Sequence, residues 1–503
     1  MSRRKTRLES VTEAPQIRRG ACGIDISPEV IYVAVGPQQD APAVRAFGTF
    51  TAELYRIANW LGGCGVRTVA MESTGVYWIP LFQVLEERGF EVLLVNARHY
   101  RNVPGRKTDV CDAAWLQYLH AVGLLQGSFR PPQTVCSFRT ILRHRAGLVQ
   151  AASQHIQHMQ KALDQMNVQI HRVLSDITGV TGLAIVDAIL HGQRDGKQLA
   201  GLRHGGVKAS EQEIIAALDG DYRVEHLFTL RQSLESYRHY QKLMGECDQQ
   251  LRQALDEFDS KQDGPAAAPV AQKKLRTKQD EELRQQYYRI LGVDLTTVPS
   301  ISVGTVQTFV AEVGPDLSRF RSAGALASWL GLCPDNQISG GKILSSRTRK
   351  VDNRLAAALR MAAESLCRDK SYLGQYYRRM RARLGGPQAI TAAAHKLVRI
   401  IYRLARISHT ARAGAGGEWP GTVLGMSLFG SCPPHIGVWG VGSQVCARRP
   451  QGRRFRSGFA QSSARLRKAF PAEKHLNLYL KSAGSVSGSL RPAQLPADSH
   501  GPA

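Results

Sequence analysis

What this sequence lacks sets its first limits. None of its nine cysteines, at 22, 64, 111, 136, 247, 333, 367, 432 and 446, forms a Cys-x-x-Cys pair. That spacing excludes a zinc framework and a disulfide framework, and fits a reducing compartment. No uninterrupted apolar run reaches the roughly 18 residues of a spanning helix. The most apolar late stretch, 423–441, is broken by Pro433 and Pro434. The basic start, Met1 to Arg7, is followed by no apolar core, so neither a secretory signal nor a membrane partner is expected. Acids are scarce: 41 Asp and Glu stand against 66 Lys and Arg, a formal charge of +25. A surplus of that size implies a polyanionic partner, and nucleic-acid backbones supply one through counterion release. No second Gly-rich phosphate loop appears, which argues against an actin-like ATPase.

What is present is enough apolar content for packed cores, 43% of 503 residues, and a length suited to several domains. Residues 1–19 read as a basic, flexible arm. Residues 20–130 read as an α/β domain. Strands are expected over 22–35, split by a turn at Ser27-Pro28, and over 43–50, 66–71 and 91–96. Helices are expected over 51–61, with Thr51 as its cap, 77–88, stopped by Gly89, and 109–122. Residues 131–280 read as long helices and a linker, with one helical zone over 135–174 and another over 222–258. In the second, Leu227, Leu230, Leu234, Tyr237, Tyr240, Met244, Cys247, Leu251 and Phe258 keep a three-four spacing. That seam suggests self-association. Residues 281–410 read as a mostly α-helical unit. Within 341–381 it carries eleven Lys and Arg against three Asp and Glu. Residues 411–503, rich in Gly, Ser, Pro and Arg, read as a disordered basic tail.

Four acids carry the chemistry. Asp25 ends the first strand, in Gly23-Ile24-Asp25, and Glu72 ends the strand Thr68-Val69-Ala70-Met71. Asp109 and Asp112, in Lys107-Thr108-Asp109-Val110-Cys111-Asp112-Ala113, are three apart and share one helix face, with Thr108 as a candidate cap. Acids gathered this way repel one another unless a divalent cation neutralises them, and oxygen ligands select Mg2+ or Mn2+. The set and its strand and helix order resemble the ribonuclease-H-like fold in its RuvC-like form, with a D-E-D-D constellation. Nearby Tyr77 and Trp78 read as packing beneath the site. His144, His155 and His158 read as solvated or RNA-facing residues of a polar helix.

A second signal lies at 289–368: Val298-Pro299-Ser300-Ile301-Ser302-Val303-Gly304, then Glu312-Val313-Gly314, Ala327-Ser328-Trp329-Leu330-Gly331-Leu332, and Ser339-Gly340-Gly341-Lys342. Together with Lys107-Thr108-Asp109-x-x-Asp112-Ala113, these blocks resemble the transposases of insertion-sequence family 110, especially its 1111 subgroup. The resemblance implies an RuvC-like DEDD domain and a C-terminal transposase domain. It implies that Asp25, Glu72, Asp109 and Asp112 bind metal and that Ser339 is the nucleophile attacking a DNA phosphate. It also implies a guide RNA that pairs with element ends and target DNA, a homo-oligomer (dimer or tetramer), and a bacterial cytoplasmic, nucleoid-associated location. Independently of it, flanking glycines let a phosphate approach the backbone closely. Lys107, Lys342, Arg347, Arg349, Lys350 and Arg354 are candidate nucleic-acid contacts. Family members often carry Pro-Gly-Ile-Gly where this chain has Pro299-Ser300-Ile301-Ser302. Two rival readings are an RuvC-like structure-specific endonuclease using water, and a catalytically decayed nucleic-acid-binding protein.

Overall fold

A computed structural model describes residues 16–73, 75–96, 109–261 and 277–413, with the backbone alone described at 109–111 and 407–413. Expectations for the arm before residue 16, for Lys107 and Thr108, for most of the linker and for the tail beyond 413 lie outside these residues. The chain divides into two compact units, 1–131 and 132–503.

The first unit holds one five-stranded sheet. Its strands are β1 (Ala21–Ile26), β2 (Ile31–Ala34), β3 (Val44–Phe47), β4 (Thr68–Glu72) and β5 (Glu91–Val95), in the order β3-β2-β1-β4-β5. β1, β2 and β3 pair antiparallel, whereas β1, β4 and β5 pair parallel. The helices are α1 (Thr51–Gly63), α2 (Trp78–Glu87) and α3 (Asp109–Ala121). Leu54, Ile57 and Leu61 of α1 and Leu81 and Leu85 of α2 bury one sheet face, against Ile24, Val33 and Met71. Leu116 and Leu119 of α3 bury the other face, against Ala70 and Val95. Covered on both faces, β1 and β4 have no polar side to show, which is why they read as apolar runs rather than alternations. The expected α/β domain with a mixed sheet is therefore present. Two details differ. The residue before α1 is Phe50, with no side-chain cap, so Thr51 is the first helical residue and caps nothing. Trp78 packs edge-on against Phe82 in the core on the sheet face opposite α3, and Tyr77, which precedes the first helical turn, is exposed, so neither packs beneath the acids.

In the second unit, α4 (Gln133–Gln165) and α9 (Val224–Asp256) form the long element. They run antiparallel, as the pairs Phe138–Phe258, Arg145–Asp248 and His155–Tyr240 require. The apolar seam of α9 is used here: Leu230, Leu234, Tyr237, Met244, Cys247 and Leu251 are buried, most of them in a core shared with Leu148, Val149, Met159 and Leu163 of α4. The seam therefore finds its partner within its own chain and does not argue for self-association. His155, expected on a polar face, stacks on Tyr240 with ring centroids 5.4 Å apart, while His144 and His158 are exposed. The single helical zone expected over 135–174 breaks at Asn167, whose φ is 58°, before α5 (Ile170–Val173). The short helices α6 (Val180–Leu190), α7 (Gly196–Ala200) and α8 (Glu211–Leu218) close the far end of the pair.

The rest is a helical bundle: α10 (Lys278–Leu291), α11 (Val303–Glu312), α12 (Ala323–Trp329), α13 (Arg354–Ser365), α14 (Tyr372–Leu384) and α15 (Gly386–Ala413). Thr277, Ser302, Ser322, Asn353 and Ser371 each cap a helix by accepting a backbone N–H, and Gly292 closes α10 with φ 71°. These residues satisfy donors and carbonyls that a helix end leaves open. The bundle is tied to the long pair through Glu312. Its buried carboxylate accepts two bonds from Arg143 at 2.9 Å, and Arg139 donates to the carbonyls of Ala311 and Glu312. That shared ion pair and Lys261, which donates to the Pro315 carbonyl, help make 132–503 one compact unit.

Candidate acidic centre and serine hairpin

The candidate acids stand on three elements of the first unit. β1 and β4 run parallel with Gly23 opposite Ala70 and Ile24 opposite Met71, so Asp25 and Glu72 occupy the next level of that register. Two residues along from Gly23 and Ala70, they share the sheet face that α3 covers. Gly23 is the reason α3 lies so close. A Cβ at that position would stand 2.2 Å from the backbone nitrogen of Gln117 and 2.3 Å from the carbonyl oxygen of Ala113. No side chain fits there. Gln117 also donates to the Ala21 carbonyl at 3.2 Å, fixing the helix along β1. The direction of α3 follows: Ala113 meets Gly23, and His120 meets Thr68 at the opposite end of β4. The first turn of α3, which includes Asp109 and Asp112, is thereby brought toward the C-terminal ends of β1 and β4, where Asp25 and Glu72 stand.

His120 locks this arrangement. The Arg18 guanidinium, which can only donate, meets its Nδ1 at 3.2 Å, so Nε2 carries the proton and donates to Thr68 Oγ1 at 2.9 Å. Burial, then the neighbouring Arg18 charge, push the His120 pKa down to about 4. The ring is therefore neutral near neutral pH, as two polar contacts and a cation require. Among the described residues no three His, Cys, Asp or Glu side chains form a group that could hold a metal ion. Asp109, the fourth expected acid, has its side chain outside those residues.

Ser339 belongs to the second unit. β6 (Gln337–Ser339) and β7 (Lys342–Ser345) form a two-stranded hairpin in which Ser339 pairs directly with Lys342. The two residues between them, Gly340 and Gly341, have φ of 54° and 74°. A two-residue turn of that kind needs left-handed backbone at both positions, which glycine adopts without a Cβ clash. The hairpin is exposed, with Ile338 and Ile343 each 62% accessible and Leu344 69%. Among the described residues nothing hydrogen-bonds the Ser339 hydroxyl.

Two family models match the chain in the parts where these sites lie. One, for the DEDD transposase of IS110 and described as a transposase, matches residues 22–168; the other, described as transposase IS116/IS110/IS902 family, matches residues 294–378. The chain belongs to the IS110 family of transposases. No curated protein matches it. Membership makes the chain a DNA-processing enzyme of transposition, with DNA as partner, and its DEDD domain suggests divalent-metal use in general. No helix of the transposase, among the described residues, is long and apolar enough to cross a membrane.

The other expected nucleic-acid contacts of the transposase spread along and beyond the hairpin. Lys342, Arg347, Arg349, Lys350 and Arg354 are all exposed. Arg349 is already engaged, donating to the Ser328 carbonyl at 2.6 Å and to its hydroxyl at 3.2 Å. That bond ties the chain after the hairpin to the end of α12. Arg354 opens α13, just after the Asn353 cap. Residue reasoning on the sequence missed Gly23 and His120 as positioning residues. Gly23 carried a signal, a glycine inside a strand, which often marks close backbone approach. His120 carried none, because its partners come from the arm and from β4.

Proposed function

We propose that this transposase cleaves and rejoins DNA strands for insertion-sequence mobility, guided by a structured RNA. In this reading the first unit is ribonuclease-H-like, in the RuvC-like form, and its acids act with Ser339 as nucleophile. The observation that carries it is the seating of α3 on Gly23, which brings the first turn of α3 toward the C-terminal ends of β1 and β4, where Asp25 and Glu72 stand. The strand order β3-β2-β1-β4-β5, three antiparallel strands followed by two parallel ones, supports the fold assignment.

Asp25, Glu72, Asp109 and Asp112 would hold Mg2+ or Mn2+, since all four offer only carboxylate oxygens, the donors that hard cations take. When bound, such an ion supplies electrostatic stabilisation of charge on a phosphodiester. Ser339 Oγ bonds to phosphorus as the bond from phosphorus to a deoxyribose oxygen breaks; the serine proton leaves through solvent and the released oxygen takes one up. Rejoining reverses this, when a deoxyribose hydroxyl attacks the serine phosphodiester and frees Ser339. Lys342, paired opposite Ser339, neutralises phosphate charge, and Arg347, Lys350 and Arg354 position the backbone. Lys107 would do the same beside the acids. The excess of base over acid is compatible with two kinds of nucleic acid without distinguishing DNA from RNA. Residues 20–130, 131–280 and 281–410 are taken as the nuclease-like, helical and serine-bearing domains. A homo-oligomer, dimer or tetramer, and a bacterial nucleoid-associated location complete the reading.

One observation favours a rival. A hydroxyl with no hydrogen-bond partner among the described residues is a poor nucleophile, which suits an RuvC-like endonuclease that uses water. The test separates the two. Purified protein is incubated with labelled element-end DNA, Mg2+ and RNA from the element, then denatured and run on a gel. The proposal expects a covalent protein–DNA adduct that Ser339→Ala abolishes and Asp25→Asn reduces at least about 100-fold. Cleaved ends without an adduct would favour the endonuclease. Binding without cleavage would favour a decayed binding protein. An adduct surviving in Ser339→Ala would reject the serine.

A further inference from the structure

The bundle of the second unit contains a cationic cleft that the serine hairpin does not include. It has a volume of about 450 Å³ and lies between the start of α12 and the middle of α15. One wall is the segment from Arg321 to Gly324; the other is a stripe of α15. On that stripe His395, Arg399, Tyr402, Arg403 and Arg406 recur at helical spacing, so they share a face. No Asp or Glu lines the cleft, and α15 contains none along its whole length.

The walls are held in place by the protein itself. Tyr402, buried, donates to the Phe320 carbonyl at 2.6 Å. Arg406 donates to the Tyr402 hydroxyl at 2.7 Å and to the Arg321 carbonyl at 3.4 Å. These bonds clamp the stretch before α12 to α15 and consume Tyr402 and part of Arg406. Arg321, Arg399 and Arg403 are differently placed. All three are exposed, and among the described residues none has a carboxylate partner. Three guanidinium groups around one opening, with no acid to balance them, carry mutual repulsion that a bound anion would relieve. His395 reports the same imbalance: burial, then the charges of Arg399 and Lys396, push its pKa below the ordinary value.

We propose that this cleft is a phosphodiester-binding site, in which Arg321, Arg399 and Arg403 hold the backbone of a bound nucleic acid away from the serine hairpin. Guanidinium groups match phosphate oxygens with paired N–H donors, and the open mouth admits a continuous chain rather than enclosing a small molecule. The proposal rests on the reading of the chain as a nucleic-acid enzyme and adds a second point of grip. Both DNA and RNA present the same phosphodiester, so the experiment must separate them.

The test measures fluorescence anisotropy of the full chain with three labelled probes: single-stranded DNA, duplex DNA and a hairpin RNA. Each is titrated across a salt series. The variants are Arg399→Gln with Arg403→Gln on one wall, and Arg321→Gln on the other, with Arg252→Gln on α9 as a control for lost charge. Each variant's melting is checked first, and because the walls are separate, either variant that folds suffices. Loss of two phosphate contacts should weaken binding at least about tenfold and make the slope of log affinity against log salt shallower by about two. Arg321→Gln should remove about one unit of slope, and Arg252→Gln almost none. The probe that shows the loss names the occupant, and equal loss on all three means a general backbone grip. If the wild type binds and the cleft variants keep its affinity and slope on every probe, the cleft assignment is wrong while the function stands. If the wild type binds none of the probes, both fall.

Discussion

Replacing Ser300 by glycine should make this protein more stable. Ser300 is the third residue of the turn Val298-Pro299-Ser300-Ile301, closed by the Ile301 N–H donating to the Val298 carbonyl at 3.1 Å. Proline second and a positive φ third is the type II pattern, which favours glycine in third place. Ser300 holds φ 69°, and its hydroxyl is buried without a hydrogen-bond partner among the described residues. Left-handed backbone costs a residue with a Cβ about 1 kcal/mol or somewhat more. An unsatisfied buried hydroxyl costs about 1 kcal/mol more. Glycine removes both penalties but loses about 0.5–1 kcal/mol in chain entropy. The net expectation is a gain of about 1 kcal/mol, or roughly 1–2 °C in melting temperature for a unit as large as 132–503. The assay is urea unfolding followed by far-ultraviolet circular dichroism, with Ser300→Ala as the partner variant. Alanine removes the hydroxyl but keeps the Cβ, so it should recover only the hydroxyl share. Wild-type stability in Ser300→Gly, or a larger gain in Ser300→Ala, would refute the assignment of strain to the backbone.

The other predictions concern how α3 is seated. Gly23→Ala should destabilise the first unit by about 2–3 kcal/mol, since backbone atoms at 2.2 and 2.3 Å cannot yield as a flexible side chain would. DNA cleavage should fall with it, and hydrogen exchange along α3 should rise; an unchanged exchange pattern would break the link between Gly23 and the helix. His120, at about 4 when folded and 6.5 as its ordinary value, gives a pH dependence with a definite sign. Below pH 6.5 the unfolded chain takes a proton that the folded ring refuses, so stability is full above that value and declines toward pH 4. The loss between pH 7 and pH 5 should be about 2 kcal/mol. Urea midpoints of the first unit, read by exchange in β4 and α3, check it, and His120→Gln should flatten the dependence.

Sequence pattern alone determined most of the first unit. Strands β1, β4 and β5 and helices α2 and α3 lie within a few residues of where apolar runs, periodicity and Gly89 put them. Such signals are local: a strand buried on both faces must be apolar throughout, whatever packs on it. The strand-end positions of Asp25 and Glu72 were legible for the same reason, because a carboxylate at the end of an apolar strand stands out without its neighbours; whether such acids gather is a tertiary matter, and among the described residues no three of them form a metal-holding group. The seam of α9 shows the boundary. Its spacing revealed an apolar stripe, but a stripe does not name its partner, and tertiary structure supplied α4 rather than a second copy. Arg399, Arg403 and Arg406 could be read as one face of a helix. The opposite wall at Arg321 could not, since Arg406 reaches it across 85 positions. Gly23 was visible as a glycine, yet its meaning depended on Gln117, whose side chain bonds a residue 96 positions away. Local sequence states what each segment must hide or cap, and only the packed chain decides which distant segment meets that need.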